Sequence, residues 1–197
     1  MNVVAILLAA GSASRFGSDK LLHALPHEVA IAVQSARHLR AVFPERVLAV
    51  VRPDSTRLRE LLEKESCEIV VCEKAEQGMG ASLACGVRAA DQGQRRADAY
   101  LVALGDMPFI RPSSLAAVRD ALVHGAAIAA PYFRARRGHP VGFAAKFREQ
   151  LAALQGDEGA KQLLAAHASE IVKVPVGDPA VLRDIDTPGD LALPLVV

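Results

Sequence analysis

The chain has no tryptophan among its 197 residues, and only 4% of it is aromatic. A β-sandwich of this size would use more aromatic and Thr-rich strands, so that class is set aside. Cysteine is scarce as well. Cys67, Cys72 and Cys85 make neither an even set nor a C-x-x-C pair. They exclude a disulfide framework and read as buried thiols of a reducing compartment. Neither sign of charge predominates, because 23 Lys and Arg against 22 Asp and Glu leave a formal net charge of +1. Long-range attraction to nucleic acid or to an acidic membrane surface is excluded, so any anion must be bound locally. There is no long hydrophobic run either. The apolar N-terminal stretch Val3 to Ala10 lacks a basic leader and is too short to span a bilayer. The expectation is a cytoplasmic protein with no nucleic-acid and no membrane partner.

What is present is apolar and regularly punctuated. Hydrophobic residues make up 51% of the chain, largely Ala, Val and Leu. The length suits one domain, 1–197, with a core of its own. Short apolar runs ended by turn signals predict strands at Val3–Ala9, Arg46–Val51, Glu68–Val71 and Ala99–Leu104. Later strands are expected at Ala126–Tyr132, Val141–Phe143 and Ile171–Val174. Helical patterns fall between them at Val29–Val42, Arg57–Lys64, Ala81–Ala90 and Pro112–Val123. Strand–helix alternation of this kind predicts an α/β fold with a mainly parallel sheet. Ligands of such sheets sit beyond the carboxyl ends of the strands.

The first strand runs straight into "LLAAGSASRFGSDK", Leu7 to Lys20. No Walker A loop is spelled there, and Ala13 and Ser14 stand where a dinucleotide fingerprint wants its second glycine. Gly11 and Gly17 would still let backbone amides approach an anion, Ser12 and Ser14 add hydroxyl donors, and Arg15 and Lys20 add positive charge. The bland alternative is a glycine-rich connection with solvated cations. A nucleoside triphosphate carries about four negative charges and a phosphate monoester about two more, which two cations cannot balance. A divalent metal is therefore expected. Asp106, in "LVALGDMPF", follows a buried strand between Gly105 and Pro108 and offers a hard oxygen ligand for Mg²⁺. Its alternative role is capping a turn or the helix from Pro112.

Other strand-end segments carry similar choices. Gly78 and Gly80 in "EQGMGASLACG" precede a helix expected to begin near Ala81 or Ser82, whose free amides suit an anion. "RARRGHPVGF" places Arg136, Arg137 and His139 about Gly138 and Pro140, either as a basic hairpin tip or as contacts to a phosphorylated acceptor. "GDEGAK" brings Asp157 and Glu158 near the start of a helix, where capping is the default. "LRDIDTPGDL" offers Asp184, Asp186 and Asp190; Asp186 reads as a cap before Pro188, with a second metal carboxylate, from Asp186 or Asp184, as the alternative.

Taken together, "LAAGSASRFGSDK", "QGMGASLACGV", "LGDMPF", "RRGHPVGF", "GDEGAK" and "DIDTPGDL" occur in an order that resembles the molybdenum cofactor cytidylyltransferases. The resemblance covers nearly the whole chain. It implies a Rossmann-like, three-layer nucleotidyltransferase fold. It also implies transfer of CMP from CTP to the terminal phosphate of molybdenum-loaded molybdopterin, with release of pyrophosphate. The partners implied are CTP, a molybdopterin-type cofactor and a client molybdoenzyme. By the same resemblance Arg15, Lys20 and Asp106 are catalytic, and Asp106 with Asp186 holds Mg²⁺. The nucleotide would be bound by Leu8, Ala9, Ala10, Gly11, Ser12, Ala13, Ser14, Arg15 and Lys20, together with Gly78, Gly80, Ser82, Gly105 and Asp106. The acceptor would meet Arg137, Gly138, His139, Pro140, Asp157 and Lys161. "LAAG" is the spelling typical of cytidine-using members and "LAGG" of guanylyltransferases, so Ala10 points to CTP. Two departures stand out: "LLHALPHEVAIAV" lacks the glycine of the family's G-x-P-L turn, and Lys161 stands where Arg is common. A guanylyltransferase of the same pathway, a cytidylyltransferase with another phosphorylated acceptor, and a non-catalytic carrier of the cofactor remain the alternatives.

Overall fold

The computed structural model describes residues 1–11, 20–92 and 96–191. Eight strands form one sheet: β1 (Val3–Leu8), β2 (Val47–Val51), β3 (Glu68–Val71), β4 (Ala99–Leu104), β5 (Ile128–Phe133), β6 (Arg136–Arg137), β7 (Val141–Ala144) and β8 (Ile171–Pro175). Their order is β3-β2-β1-β4-β7-β5-β6, with β8 added beside β5. The pairs β1–β2, β2–β3, β1–β4 and β5–β8 are parallel, whereas β7 runs antiparallel between β4 and β5. β6 is the short return arm of the basic hairpin, also antiparallel to β5.

Six helices cover the sheet: α1 (Ile31–Val42), α2 (Thr56–Lys64), α3 (Met79–Ala90), α4 (Pro112–Val123), α5 (Arg148–Ala152) and α6 (Lys161–Ala166). The alternation along β1 explains the two layers they form. Ala5 and Leu7 point into a core shared with Ile31, Ala36 and Leu39 of α1, Leu58 and Leu62 of α2, and Leu115, Val118 and Leu122 of α4. Val4, Ile6 and Leu8 face the other way, toward Leu83 and Val87 of α3, Leu151 of α5, and Leu163 and Leu164 of α6. The central strands are buried on both faces, which is why they read as continuous apolar runs. Each fully buried Leu or Val there contributes about 1.5–3 kcal/mol relative to exposure. α3 lies so close to the sheet that a β-carbon on Gly86 would come within 2.7 Å of Ile6 Cγ2 and 2.9 Å of Val50 Cγ2.

Chain order runs outward from β1 through β2 to β3, then returns to put β4 on the other side of β1. The switch therefore lies between β1 and β4, and at their carboxyl ends the diverging loops leave a crevice. Register fixes its floor. Leu8 pairs with Leu104 across that junction, and Gly105 N donates to Leu8 O at 2.9 Å.

Candidate active site

Asp106 stands two residues beyond β4 and is held from several sides. Ser35 Oγ, in α1, donates to Gly105 O at 3.0 Å. Met107 and Ile110 are buried, so the turn after Asp106 is pinned into the core. Ile185 N donates to Asp106 O at 3.0 Å while the Ile185 side chain is fully buried. This one contact flanks Asp106 with Asp184 and Asp186. A carboxylate oxygen from each of the three lies within 4.8 Å of the other two.

Lys20 reaches the same place from the opposite loop. It opens a short 3-10 turn, Lys20–Leu22, anchored by buried Leu21. Its Nζ donates to Asp106 Oδ2 at 2.9 Å and to Asp186 Oδ1 at 3.3 Å. Burial alone would lower the lysine pKa, but these two carboxylates outweigh it and the pKa is raised. Asp184 is exposed at the rim yet partly desolvated on its inner side. Burial first, then the charges of Asp186 and Asp106, push its carboxyl above the usual range, with its own backbone amide and Lys20 opposing. Three carboxyl groups against one ammonium, all with hard oxygen donors, fit a divalent cation.

The crevice continues from this cluster as a cleft of about 410 Å³. Leu8, Ala10 and Gly11 line it from the end of β1, and Lys20, Leu104 and Asp106 from the cluster end. Leu21, Arg52, Ala75, Glu76, Gly78, Met79, Ser82 and Asp157 complete it. Among the described residues, a β-carbon at Gly11 would meet nothing within 4 Å. α3 starts at Met79, two residues before the expected Ala81, with Ser82 Oγ donating back to Gly78 O at 3.4 Å. Its first turn abuts the loop after α5, where Gly80 N donates to Gly156 O at 2.7 Å. Asp157, expected on the acceptor side, lines this same cleft beside Gly78.

Ser12, Ala13, Ser14 and Arg15 lie outside the described residues. Ala9, Gly80 and Gly105 are next to the cleft lining rather than in it. On the acceptor side, Arg137 is exposed in β6 and Lys161 is exposed at the start of α6. Gly138 packs so tightly on Val181 that a β-carbon would lie 2.2 Å from its carbonyl oxygen. His139 N donates to that same oxygen at 2.8 Å, and Pro140 beside it is buried. Arg52 and Met79 were not singled out from sequence. Arg52 directly follows β2, and its position at the carboxyl end of a parallel strand was the available signal.

Two histidines add a pH dependence to stability. His139 Nδ1 is buried without a hydrogen-bond partner among the described residues, and His38 is half-buried beside the Ile110 carbonyl. Burial is the leading cause that lowers both pKa values. Arg137 adds to it at His139 and Asp106 opposes it; the carbonyl of Ile110 and Asp178 oppose it at His38. The unfolded chain takes up protons near the ordinary histidine pKa of about 6.5, where the folded chain does not. Stability is therefore full above that pH and falls as the pH drops toward the lower folded values. The urea midpoint should be lower at pH 5.5 than at pH 7.5, and His139→Gln should reduce the difference. A midpoint independent of pH over that interval would contradict it.

Helices on both faces of a sheet of this order make three layers, with a carboxylate cluster at the switch point and a cleft beside it. The chain belongs to the MobA-like NTP transferase domain family, whose model matches residues 5–171. Purine catabolism protein PucB of Bacillus subtilis (strain 168) is 28% identical over 196 residues, spanning 94% of this chain and 92% of that protein. The crystal structure of Rv0371c from Mycobacterium tuberculosis H37Rv superposes with a TM-score of 0.82 at 25% identity, covering 97% of this chain and 95% of that one. The manganese complex of Rv0371c gives 0.79 at 21% identity, over 98% and 97% of the two chains. Molybdopterin-guanine dinucleotide biosynthesis protein A from Archaeoglobus fulgidus shares the fold with a TM-score of 0.66 at 19% identity, over 96% of this chain and 95% of that chain.

Proposed function

We propose that the protein transfers CMP from CTP to the terminal phosphate of a molybdopterin-type cofactor and releases pyrophosphate. The observation that carries this reading is the meeting of the end of β1 (Leu8, Ala10 and Gly11), Lys20 and the Asp106–Asp184–Asp186 cluster at one cleft. The triphosphate would lie toward that end, and the base toward Ala10, Gly78 and Ser82. The Ala10 methyl crowds a purine more than a pyrimidine, which supports cytidine. Manganese in the Rv0371c complex and the molybdopterin product named for the Archaeoglobus protein support a divalent cation and a pterin acceptor.

The reaction asks for positioning and charge compensation more than for a side-chain nucleophile, because the acceptor phosphate is already ionised. Asp106, Asp186 and Asp184 would hold a divalent ion, Mg²⁺ in this proposal, which when bound offsets charge on the phosphates. Lys20, released from its carboxylate partners, would reach the β- and γ-phosphates with Arg15. Arg137 and His139 would face the incoming phosphate, with Asp157 and Lys161 on the flanking loop. The acceptor oxygen then attacks the α-phosphorus, the bond to the bridging oxygen breaks, and pyrophosphate leaves with that electron pair.

Pyrophosphate release with molybdenum-loaded molybdopterin tests the proposal, comparing CTP with GTP in Mg²⁺ buffer. Release with CTP is the expected result. Release with GTP alone would keep nucleotidyl transfer and overturn the base assignment. Silence with both, using acceptor shown to be competent with another enzyme, would overturn the pterin acceptor.

A further inference from the structure

The three carboxylates come from two loops distant in sequence, one after β4 and one near the end of the described chain. We infer that Asp178 is the positioning residue that locks these loops together and thereby sets the geometry of the carboxylate cluster. The inference rests on the proposed role of that cluster in holding a divalent cation.

Asp178 is only 2% exposed, yet it is an acid with no place in the cleft. Its Oδ2 accepts from Arg111 N at 2.9 Å and from Ser114 Oγ at 2.8 Å, and its Oδ1 accepts from Ala180 N at 3.1 Å. Arg111 Nε lies 3.9 Å from Oδ1. Arg111 closes the loop that begins with Asp106, and Ala180 lies in the 3-10 turn Pro179–Leu182 that leads to Asp184. One buried carboxylate thus binds the far end of the Asp106 loop to the near end of the Asp184–Asp186 segment.

What lies between is rigid. Ala180, Val181 and Ile185 are fully buried, Val181 O accepts from His139 N, and Ile185 N closes onto Asp106 O. The segment is tied at Asp178 and again at Ile185, so both ties bear on where Asp184 and Asp186 stand. Residues behind a metal's direct ligands typically influence its affinity about 10–100-fold. Loss of the Asp178 tie should therefore appear as weaker metal binding before it appears as any change in nucleotide contact.

The test is Mn²⁺ binding to the nucleotide-free protein, followed by electron paramagnetic resonance, alongside CMP binding in EDTA. Asp178→Asn keeps the side-chain size but turns an amide NH₂ against the donors. Ser114→Ala removes a single hydrogen bond. Asp178→Asn should weaken Mn²⁺ binding about tenfold or more. Ser114→Ala should weaken it about threefold, with CMP affinity in EDTA unchanged for both. Folded variants that bind Mn²⁺ like the wild type would overturn the inference while leaving the metal site intact. Should Asp178→Asn fail to fold, Ser114→Ala decides alone: weaker Mn²⁺ binding supports the tie and wild-type binding overturns it. A wild type that binds no Mn²⁺ would overturn the cluster's proposed role and the inference with it.

Discussion

Asp106→Asn should cut pyrophosphate release by about a thousandfold or more at saturating CTP and acceptor, a loss of about 4 kcal/mol in transition-state stabilisation. The amide fills the same space, so the turn pinned by Gly105, Met107 and Ile110 is retained. What disappears is a full negative charge. Lys20 loses the charge of its 2.9 Å partner and keeps that of Asp186 at 3.3 Å and of nearby Asp184, and the cation site loses an anionic ligand. Circular dichroism and the thermal midpoint should stay near the wild-type values while turnover collapses. Near wild-type turnover by a folded variant in Mg²⁺ would show that charge at this position is not used in the reaction.

Asp106 was legible in the sequence because everything that positions it is local. An apolar run, Ala99 to Leu104, says strand, and Gly-Asp-Met-Pro says that it stops, so the carboxylate had to stand at a strand's carboxyl end. The same logic gave Glu68–Val71, Ala99–Leu104 and Pro112–Val123 to the residue. It failed where a tertiary contact overrides propensity. The helix expected near Ala81 or Ser82 begins at Met79, so Gly80 lies inside its first turn, where the close approach of Gln155 O leaves no room for a β-carbon. Asp91 and Asp98 likewise make contacts that their sequence neighbours do not announce. Asp91 accepts from Tyr100 Oη at 3.1 Å, and Asp98 accepts from Asn2 N at 2.6 Å. Antiparallel β7 was also hidden, since a four-residue run does not carry its direction.

The site divides along the same line. Lys20 and the glycines were visible as features of single loops. Asp178 was not, because its partners Arg111 and Ser114 lie more than sixty residues away and its own neighbours spell an ordinary turn. Arg52 directly follows a strand and pairs with nearby Asp54 at 3.2 Å, and nothing local marks it as part of a site. Only the sheet order, with β2 next to β1, turns it toward the cleft.

Gly78→Ala carries the second large expected effect, and two separable causes combine in it. Gly78 has φ +109° and ψ −176°, a region that side-chain-bearing residues avoid at a cost of about 1–3 kcal/mol. A β-carbon there would also lie 2.2 Å from Asp157 Oδ1 and 2.6 Å from Gly156 C and O. Asp157 can rotate away, but the Gly156 backbone cannot, because Gly80 N already holds its carbonyl. Overpacking of this kind costs about 1–3 kcal/mol. The sum, about 2–6 kcal/mol, corresponds to a fall in the thermal midpoint of roughly 4–24 °C for a chain of this length. Relief can come only by moving the 155–157 loop away from α3, which displaces Asp157 and the Gly78 edge of the cleft together. Nucleotide affinity should then drop about thirtyfold, equivalent to about 2 kcal/mol, even well below the midpoint. Gly125→Ala separates the causes: its φ is +95° with nothing within 4 Å of the new carbon, so it should lose stability and keep nucleotide binding. Gly177→Ala, with open space and no such backbone constraint, should do neither. If Gly78→Ala binds CTP as tightly as Gly125→Ala does, the loop after α5 is not a wall of the nucleotide site.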